Sequence, residues 1–145
     1  MAFVLDASVA LAWFLAGEAT RHTEAVLERL HGSEAAVPVV WPLEVANAFL
    51  MAERRQRITP SQTADAVGNL TALPIRVDDG ALGEAWGTVL RLARDHGLTA
   101  YDASYLELAM RLGLPLATQD ARLGAAAGRV GVHLVEPPAD EAENS

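Results

Sequence analysis

Short apolar runs alternate with longer stretches of helical periodicity, and this alternation limits the possible fold more than any other feature of the chain. Each run has about the length of a buried parallel strand. The five predicted strands are Ala2–Leu5, Ala36–Val40, Pro74–Val77, Pro115–Thr118 and Val132–Val135. Because helical stretches separate them, the sequence predicts an α/β fold with a central, mainly parallel five-stranded sheet.

The predicted helices connect these strands and have recognisable ends. Thr59 followed by Pro60 is typical of a helix start, and Gly97 and Gly113 stand where helices should stop. The predicted helices are Ala7–Leu15, Thr20–Leu30, Pro42–Arg57, Pro60–Leu73, Gly80–His96, Ala100–Leu112 and Ala121–Ala126. A length of 145 residues with 51% apolar content fits one domain, which we predict over residues 1–135.

The amino-acid composition excludes several classes of protein. The chain has no cysteine, which excludes disulfides, thiolate zinc sites and a cysteine nucleophile. All 11 of its Lys and Arg residues are arginine, so a P-loop lysine and a Schiff-base lysine are also excluded. No apolar run approaches the roughly 20 residues of a membrane helix, and the N-terminal residues lack the basic region of a signal peptide. We therefore predict a cytoplasmic protein with no membrane partner.

The formal net charge of −8 does not by itself exclude a nucleic-acid partner. The last ten positions, residues 136–145, form a polar, proline-containing segment that we predict to be a disordered acidic tail. Without this tail, 15 acidic residues stand against 11 basic ones. The remaining excess of negative charge could be concentrated at one place that a metal ion would neutralise, so the acidity is compatible with an RNA substrate.

Four acidic residues stand where a strand or loop is predicted to lead into a helix. Asp6 and Asp120 directly follow strands, whereas Glu44 and Asp102 lie in first helical turns. In a parallel sheet these positions share one edge, where helix N-termini favour anions and where ligands bind. Carboxylate oxygens suit hard cations such as Mg²⁺ or Mn²⁺, which predicts a hydrolase acting on a phosphodiester. Helix capping explains any single acid equally well, but it explains all four less well.

Four short motifs follow one another along the chain in a specific order and spacing. They are Val4–Ser8, Pro42–Asn47, Leu98–Ala109 and Leu116–Asp120. Each motif is weak alone, but together they span nearly the whole predicted domain. With these motifs the chain resembles the PIN-domain ribonucleases, and specifically the VapC-type toxins of bacterial type II toxin–antitoxin pairs. The resemblance implies a PIN-like, Rossmann-like three-layer α/β/α sandwich.

The resemblance also implies an activity and partners. It implies a Mg²⁺- or Mn²⁺-dependent endoribonuclease whose catalytic and metal-binding residues are Asp6, Glu44, Asp102 and Asp120. The implied substrate is structured RNA, either transfer RNA or ribosomal RNA, and its cleavage would inhibit translation. A homodimer and a cognate antitoxin protein are implied as well, with no direct DNA binding by this chain alone.

Three polar residues are candidates for supporting the acids. Ser8 and Thr118 match hydroxyl positions that support the metal site in such proteins, and Asn47 lies one turn beyond Glu44, close enough to orient it. Simpler explanations stay open. Ser8 fits a first helical turn, Thr118 fits a strand, and Asn47 fits a solvent-facing position.

Two other phosphate-handling classes are excluded by single residues. A phosphatase of the haloacid-dehalogenase type needs a second aspartate two positions after Asp6, where Ser8 stands. That class and the phospho-receiver domains also need a lysine. The remaining alternative is a catalytically inactive PIN-like binding or scaffolding module, for which an incomplete acid set would be the mark. The aromatic residues Trp13, Phe14 and Trp41 fit either the core or a hydrophobic groove for a partner.

Overall fold

The computed structural model describes residues 2–136, and its elements follow the predicted order. The strands are β1 (Phe3–Leu5), β2 (Ala35–Pro38), β3 (Ile75–Asp78) and β4 (Leu116–Ala117). The helices are α1 (Ala7–Ala12), α2 (Arg21–Arg29), α3 (Trp41–Arg54), α4 (Pro60–Thr71), α5 (Ala81–Glu84), α6 (Leu90–His96), α7 (Ala100–Leu112) and α8 (Ala121–Arg129). Of the predicted acidic tail, residues 137–145 lie outside the described residues.

The strands form one parallel sheet in the order β3, β2, β1, β4. Every residue of β1 and β2 is buried, which requires helices on both faces of the sheet. β3 is partly exposed, as suits an edge strand. The predicted α/β sandwich with a parallel sheet is therefore confirmed. Asp6 directly follows β1, one of the two central strands, and therefore lies at the carboxyl edge of the sheet.

The predicted fifth strand, Val132–Val135, is reduced to a single bridge. Leu134 pairs in parallel with Leu116, and the N–H of Leu116 donates to the carbonyl of His133 at 2.9 Å. The partner strand β4 has only two residues, and Pro115 before it has no N–H to donate. The sheet of the described residues therefore has four strands instead of the predicted five.

The predicted helix Gly80–His96 is interrupted. A π-helical turn, Ala85–Val89, separates α5 from α6. Such turns insert an extra residue into the helical ladder, and Gly83 and Gly87 within this stretch lower its intrinsic helical propensity. Within residues 2–136, no helix combines the length and apolar character that crossing a bilayer requires.

Helix α7 is the central helix of the molecule because it contacts β1, β2 and β4. It begins at a cap in which the hydroxyl of Thr99 accepts a hydrogen bond from the N–H of Asp102 at 3.0 Å. It ends at Gly113, whose φ of 66° is a left-handed conformation that glycine adopts without strain. Both ends lie where the sequence predicted them. The caps fix the helix that carries Asp102 at the sheet edge.

Candidate functional site

Two of the four predicted acids come together at the ends of neighbouring parallel strands. Asp6 follows β1, and Asp120 follows β4 after a short loop. The strands are directly paired, and the N–H of Asp6 donates to the carbonyl of Ala117 at 2.9 Å. Asp120 also caps α8, since one of its oxygens, Oδ1, accepts from the N–H groups of Arg122 and Leu123 at 2.9 and 3.0 Å. Capping therefore uses one oxygen of Asp120.

Asp6 is held by two hydroxyl groups. Its side chain is only 6% exposed, and Oδ2 accepts hydrogen bonds of 2.7 Å from both Ser8 and Thr118. Burial raises the pKa of Asp6 above its ordinary value, these two hydrogen bonds oppose the rise, and the charge of nearby Asp120 adds to it. Both hydrogen bonds are made to Oδ2, so the other carboxylate oxygen of Asp6, Oδ1, takes no part in them.

The same hydroxyls fix the loop that carries Asp120. The oxygen of Thr118 accepts from the N–H of Asp120 at 3.0 Å, and that of Ser8 accepts from the N–H of Gln119 at 3.2 Å. Each hydroxyl thus donates to Asp6 and accepts from the loop. Ser8 and Thr118 lie where the sequence predicted, beside Asp6, and their role in metal binding stays a prediction.

Glu44 and Asp102 reach the same region from the first turns of α3 and α7. Burial raises the pKa of Glu44, and the negative charges of Asp6 and Asp102 raise it further. Burial also raises the pKa of Asp102, with contributions from the charges of Asp6 and Asp120. Asp6 and Asp102 are therefore close enough to Glu44 to disfavour its ionised form, and Asp6 and Asp120 act in the same way on Asp102. The four predicted acids form one electrostatic cluster, which we call the acidic site.

Tyr105 is a member of this region that the sequence did not predict. It is completely buried, and its hydroxyl donates a hydrogen bond of 2.6 Å to Oε1 of Glu44. Burial raises the pKa of Tyr105, and the hydrogen bond to Glu44 raises it further, so the phenol stays protonated. One signal was available, because Tyr105 lies three residues after Asp102 and therefore on the same helical face.

No hydrogen bond joins Asn47 to Glu44 within residues 2–136. The side chain of Asn47 is exposed, and it is Tyr105 that donates to the Glu44 carboxylate. The predicted role of Asn47 in the site stays untested by this arrangement. Of the aromatic residues, Trp41 is buried in the core, whereas Phe14 lines a cavity of about 280 Å³ together with Phe49 and Ile58.

The acidic site is a loose set of oxygen ligands. Within residues 2–136, no three His, Asp or Glu side chains are placed so that together they could hold a metal ion. Burial and the charges of neighbouring carboxylates nevertheless raise the pKa of Asp6, Glu44 and Asp102, which is the electrostatic condition that a cation relieves. Mg²⁺ commonly keeps several waters and takes only one or two protein carboxylates directly. The residues present therefore fit a partly hydrated divalent cation.

The sequence resembles a known protein family over most of its length. It matches the family model described as PIN domain over residues 3–129. The chain belongs to the PIN-domain family. Ribonuclease VapC12 of Mycobacterium tuberculosis is 34% identical to this PIN-domain chain over 125 residues, which covers 86% of this chain and 92% of that relative. The resemblance to VapC-type proteins that the four motifs indicated is thereby confirmed.

Solved structures share the PIN fold. PAE2754 from Pyrobaculum aerophilum is 28% identical, with a TM-score of 0.66 over 87% of this chain and 84% of that chain. A toxin–antitoxin complex from Klebsiella pneumoniae contains a chain that is 19% identical, with a TM-score of 0.62 over 94% of this PIN domain protein and 98% of that chain. At 19% identity, the likeness to the Klebsiella pneumoniae chain supports the shared fold alone.

Proposed function

We propose that this protein is a divalent-metal-dependent endoribonuclease, the toxin of a toxin–antitoxin pair. The observation that carries the proposal is the acidic site, in which Asp6, Glu44, Asp102 and Asp120 form one electrostatic cluster at the carboxyl edge of the sheet. The relative named Ribonuclease VapC12 supports the same activity. Structured RNA is the proposed substrate class, with transfer RNA or ribosomal RNA as targets and inhibition of translation as the result in the cytoplasm.

The four acids would hold Mg²⁺ or Mn²⁺, and the neighbouring residues keep them in place. When bound, a divalent cation would polarise the scissile phosphodiester and lower the pKa of the attacking water. Ser8 and Thr118 fix one oxygen of Asp6. The N–H groups of α8 fix one oxygen of Asp120. Because these donors are in place before substrate arrives, little reorganisation is needed during the reaction.

The non-enzymatic alternative is a PIN-like binding or scaffolding module. Such a module has no need for ionised carboxylates held close together against their mutual repulsion. Here all four acids are present, and three have a raised pKa. This electrostatic cost is easier to explain if a cation offsets it, so the enzyme is the better supported function.

The purified protein should cleave transfer RNA or ribosomal RNA with Mg²⁺ or Mn²⁺ present and stop when EDTA is added. The cation should also raise the melting temperature, because it binds the folded acidic site and relieves its repulsion. Gel analysis of RNA fragments and thermal melts measure the two effects. The control variant Asp95→Asn removes an exposed carboxylate on α6 and should change neither. Undiminished cleavage in EDTA would refute metal dependence, and no cleavage with either ion would favour the scaffold.

We propose that the cognate antitoxin inhibits the protein by placing an arginine in the acidic site. A guanidinium pairs with carboxylates in a fork geometry and would compete with the cation. Apolar neighbours of that arginine would fill the cavity that includes Phe14, Phe49 and Ile58.

Growth arrest should therefore occur when the chain is expressed alone and not when the antitoxin encoded upstream is co-expressed. Titration of Mg²⁺ against the purified complex should weaken it if the arginine and the cation share the site. Replacing the antitoxin arginine by glutamine should restore cleavage by at least about tenfold, since a charge-assisted pair of this kind contributes about 1.5–3 kcal/mol. Retained inhibition by the glutamine variant would show that another contact blocks the site.

We propose that the homodimer forms through an apolar groove beside the acidic site. The groove has a volume of about 510 Å³ and is lined by residues of α3, α5, the π-helical turn and α7. Its rim exposes large apolar side chains, Leu43 at 72%, Leu82 at 67% and Trp86 at 92%. Contiguous exposed apolar surface of this kind is typical of an interface.

The variant Trp86→Glu should shift the protein from dimer to monomer, because a charge would replace a large apolar side chain of the proposed interface. Sedimentation at several protein concentrations measures the shift. Val67→Glu is the matched control, since Val67 is 44% exposed on α4, outside the groove. A Trp86→Glu protein that stays dimeric would place the interface elsewhere.

A further inference from the structure

Tyr105 carries a hydroxyl group that packing alone does not require. The side chain is completely buried in the middle of α7. A phenylalanine would fill nearly the same space, whereas a buried hydroxyl must find a partner to offset its lost contact with water. The partner here is Oε1 of Glu44, at 2.6 Å. The one polar atom of the Tyr105 side chain is therefore directed at the acidic site.

Glu44 has particular need of such a partner. Asp6 is fixed by two hydroxyls, and Asp120 by two backbone N–H groups. Glu44 has a longer and more flexible side chain than the three aspartates, so it loses more conformational freedom when it is held in one orientation. The hydrogen bond from Tyr105 selects one of its orientations before any ligand binds.

The hydrogen bond also joins two helices that each supply an acid. α7 carries Asp102 in its first turn and Tyr105 three residues later, whereas Glu44 lies in the first turn of α3. One helix therefore contributes one carboxylate and orients another. We propose that Tyr105 is a positioning residue that holds the Glu44 carboxylate toward the divalent cation, an inference that rests on the proposed function of the acidic site.

The variant Tyr105→Phe separates this role from a purely structural one. Removal of the hydroxyl leaves Glu44 free to rotate, so the protein should bind Mn²⁺ about tenfold more weakly, as is common when a residue that orients a metal ligand is removed. Calorimetric titration with Mn²⁺ measures the affinity without reference to cleavage. Thr71→Val is the control, since it also removes a hydrogen-bonding hydroxyl but lies at the end of α4, outside the acidic site, and this variant should bind Mn²⁺ like the parent protein.

A double-mutant cycle with Glu44→Gln tests whether Tyr105→Phe lowers the Mn²⁺ affinity through Glu44. Tyr105→Phe should cause no further loss of Mn²⁺ affinity in the Glu44→Gln background, because the group that it orients is already altered. If Glu44→Gln weakens Mn²⁺ binding but folded Tyr105→Phe does not, the positioning role is overturned and the acidic site stands. If Glu44→Gln leaves Mn²⁺ binding unchanged, Glu44 is no part of the metal site and the proposed function itself loses support.

The parent protein allows a second measurement in case Tyr105→Phe does not fold. The chain has only 2 tyrosines, so labelling the ring Cζ with ¹³C gives one signal for Tyr105 and one for Tyr101. Mg²⁺ should shift the Tyr105 signal in the parent protein and not in Glu44→Gln, because the shift reports the hydrogen bond to Glu44. A Tyr105 signal that Mg²⁺ leaves unchanged in the parent protein would overturn the proposal.

Discussion

Replacing Asp6 by asparagine should lower metal-dependent RNA cleavage by about 10³-fold or more, which corresponds to a loss of about 4 kcal/mol of transition-state stabilisation. Asp6 is the most buried of the four acids and interacts electrostatically with Glu44, Asp102 and Asp120. Its loss removes a full charge from the centre of the acidic site. Single-turnover cleavage of a fixed RNA measures the effect, with Asp95→Asn as the control that keeps the parent rate.

The Asp6→Asn protein should fold, and without metal it should be more stable than the parent at neutral pH. Ser8 and Thr118 can still donate to the amide oxygen, so the local shape is kept. The pKa of Asp6 is raised in the folded state. The stability that the Asp6 carboxyl group contributes is therefore present at acidic pH, and it is lost as the pH rises through the pKa of Asp6 in the folded protein.

Thermal melts in EDTA from acidic to neutral pH test the direction of this difference in stability. The melting temperatures of the two proteins should differ little in acid and diverge in favour of Asp6→Asn as the pH rises. Parallel curves would mean that the ionised Asp6 is not destabilised by its surroundings. A folded Asp6→Asn protein that cleaves RNA at the parent rate would remove Asp6 from the proposed catalytic set.

The sequence predicted the positions of the acids well because each is tied to a strand end or a helix start. β1 and β4 are short apolar runs, so Asp6 and Asp120 could be assigned to the same sheet edge before any contact was known. The hydrogen bonds from Ser8 and Thr118 to Asp6 were predictable in part, since Ser8 lies two residues from Asp6 and Thr118 directly follows β4.

Contacts between distant helices could not be predicted in the same way. The partner of Glu44 was expected in its own helix, at Asn47, but it is Tyr105, 61 positions along the chain on α7. Helical periodicity gives the face on which a residue lies, but it does not give the helix that this face meets. The fifth strand and the uninterrupted helix were also predicted wrongly, because Pro115 cannot donate to the sheet before the two-residue β4 and because Gly83 and Gly87 weaken the helix.

A second network of charged side chains, of which only Glu107 is fully buried, lies outside the acidic site and stabilises α7. Glu107 is 3% exposed, and Arg111 donates to it from Nε at 2.6 Å and to Asp78 from Nη2 at 2.7 Å. The hydrogen bond from Arg111 lowers the pKa of Asp78. The guanidinium lies so close to Gly80 that a Cβ at this position would collide with it. Arg111 thus ties the end of β3 to the helix that carries Asp102.

Replacing Arg111 by methionine should destabilise the protein by about 3–5 kcal/mol, because Glu107 would remain buried without its cationic partner. Urea unfolding measures the loss as a lower midpoint with a similar slope. The matched control is Arg76→Met. Arg76 pairs with Glu34 at 3.7 Å, and both side chains are more than half exposed, so its removal should cost less than about 1 kcal/mol.

The double variant Arg111→Met with Glu107→Leu tests whether the loss of stability arises from the unpaired charge of Glu107. Leucine in place of Glu107 removes the buried carboxylate, so most of the stability lost in Arg111→Met should return. If the double variant is as unstable as Arg111→Met alone, the contacts of Arg111 with Asp78 are the main source of stability instead. Because α7 carries Asp102 and Tyr105, the destabilised single variant should also bind Mn²⁺ more weakly near its melting temperature, and the repaired double variant should bind it as the parent does.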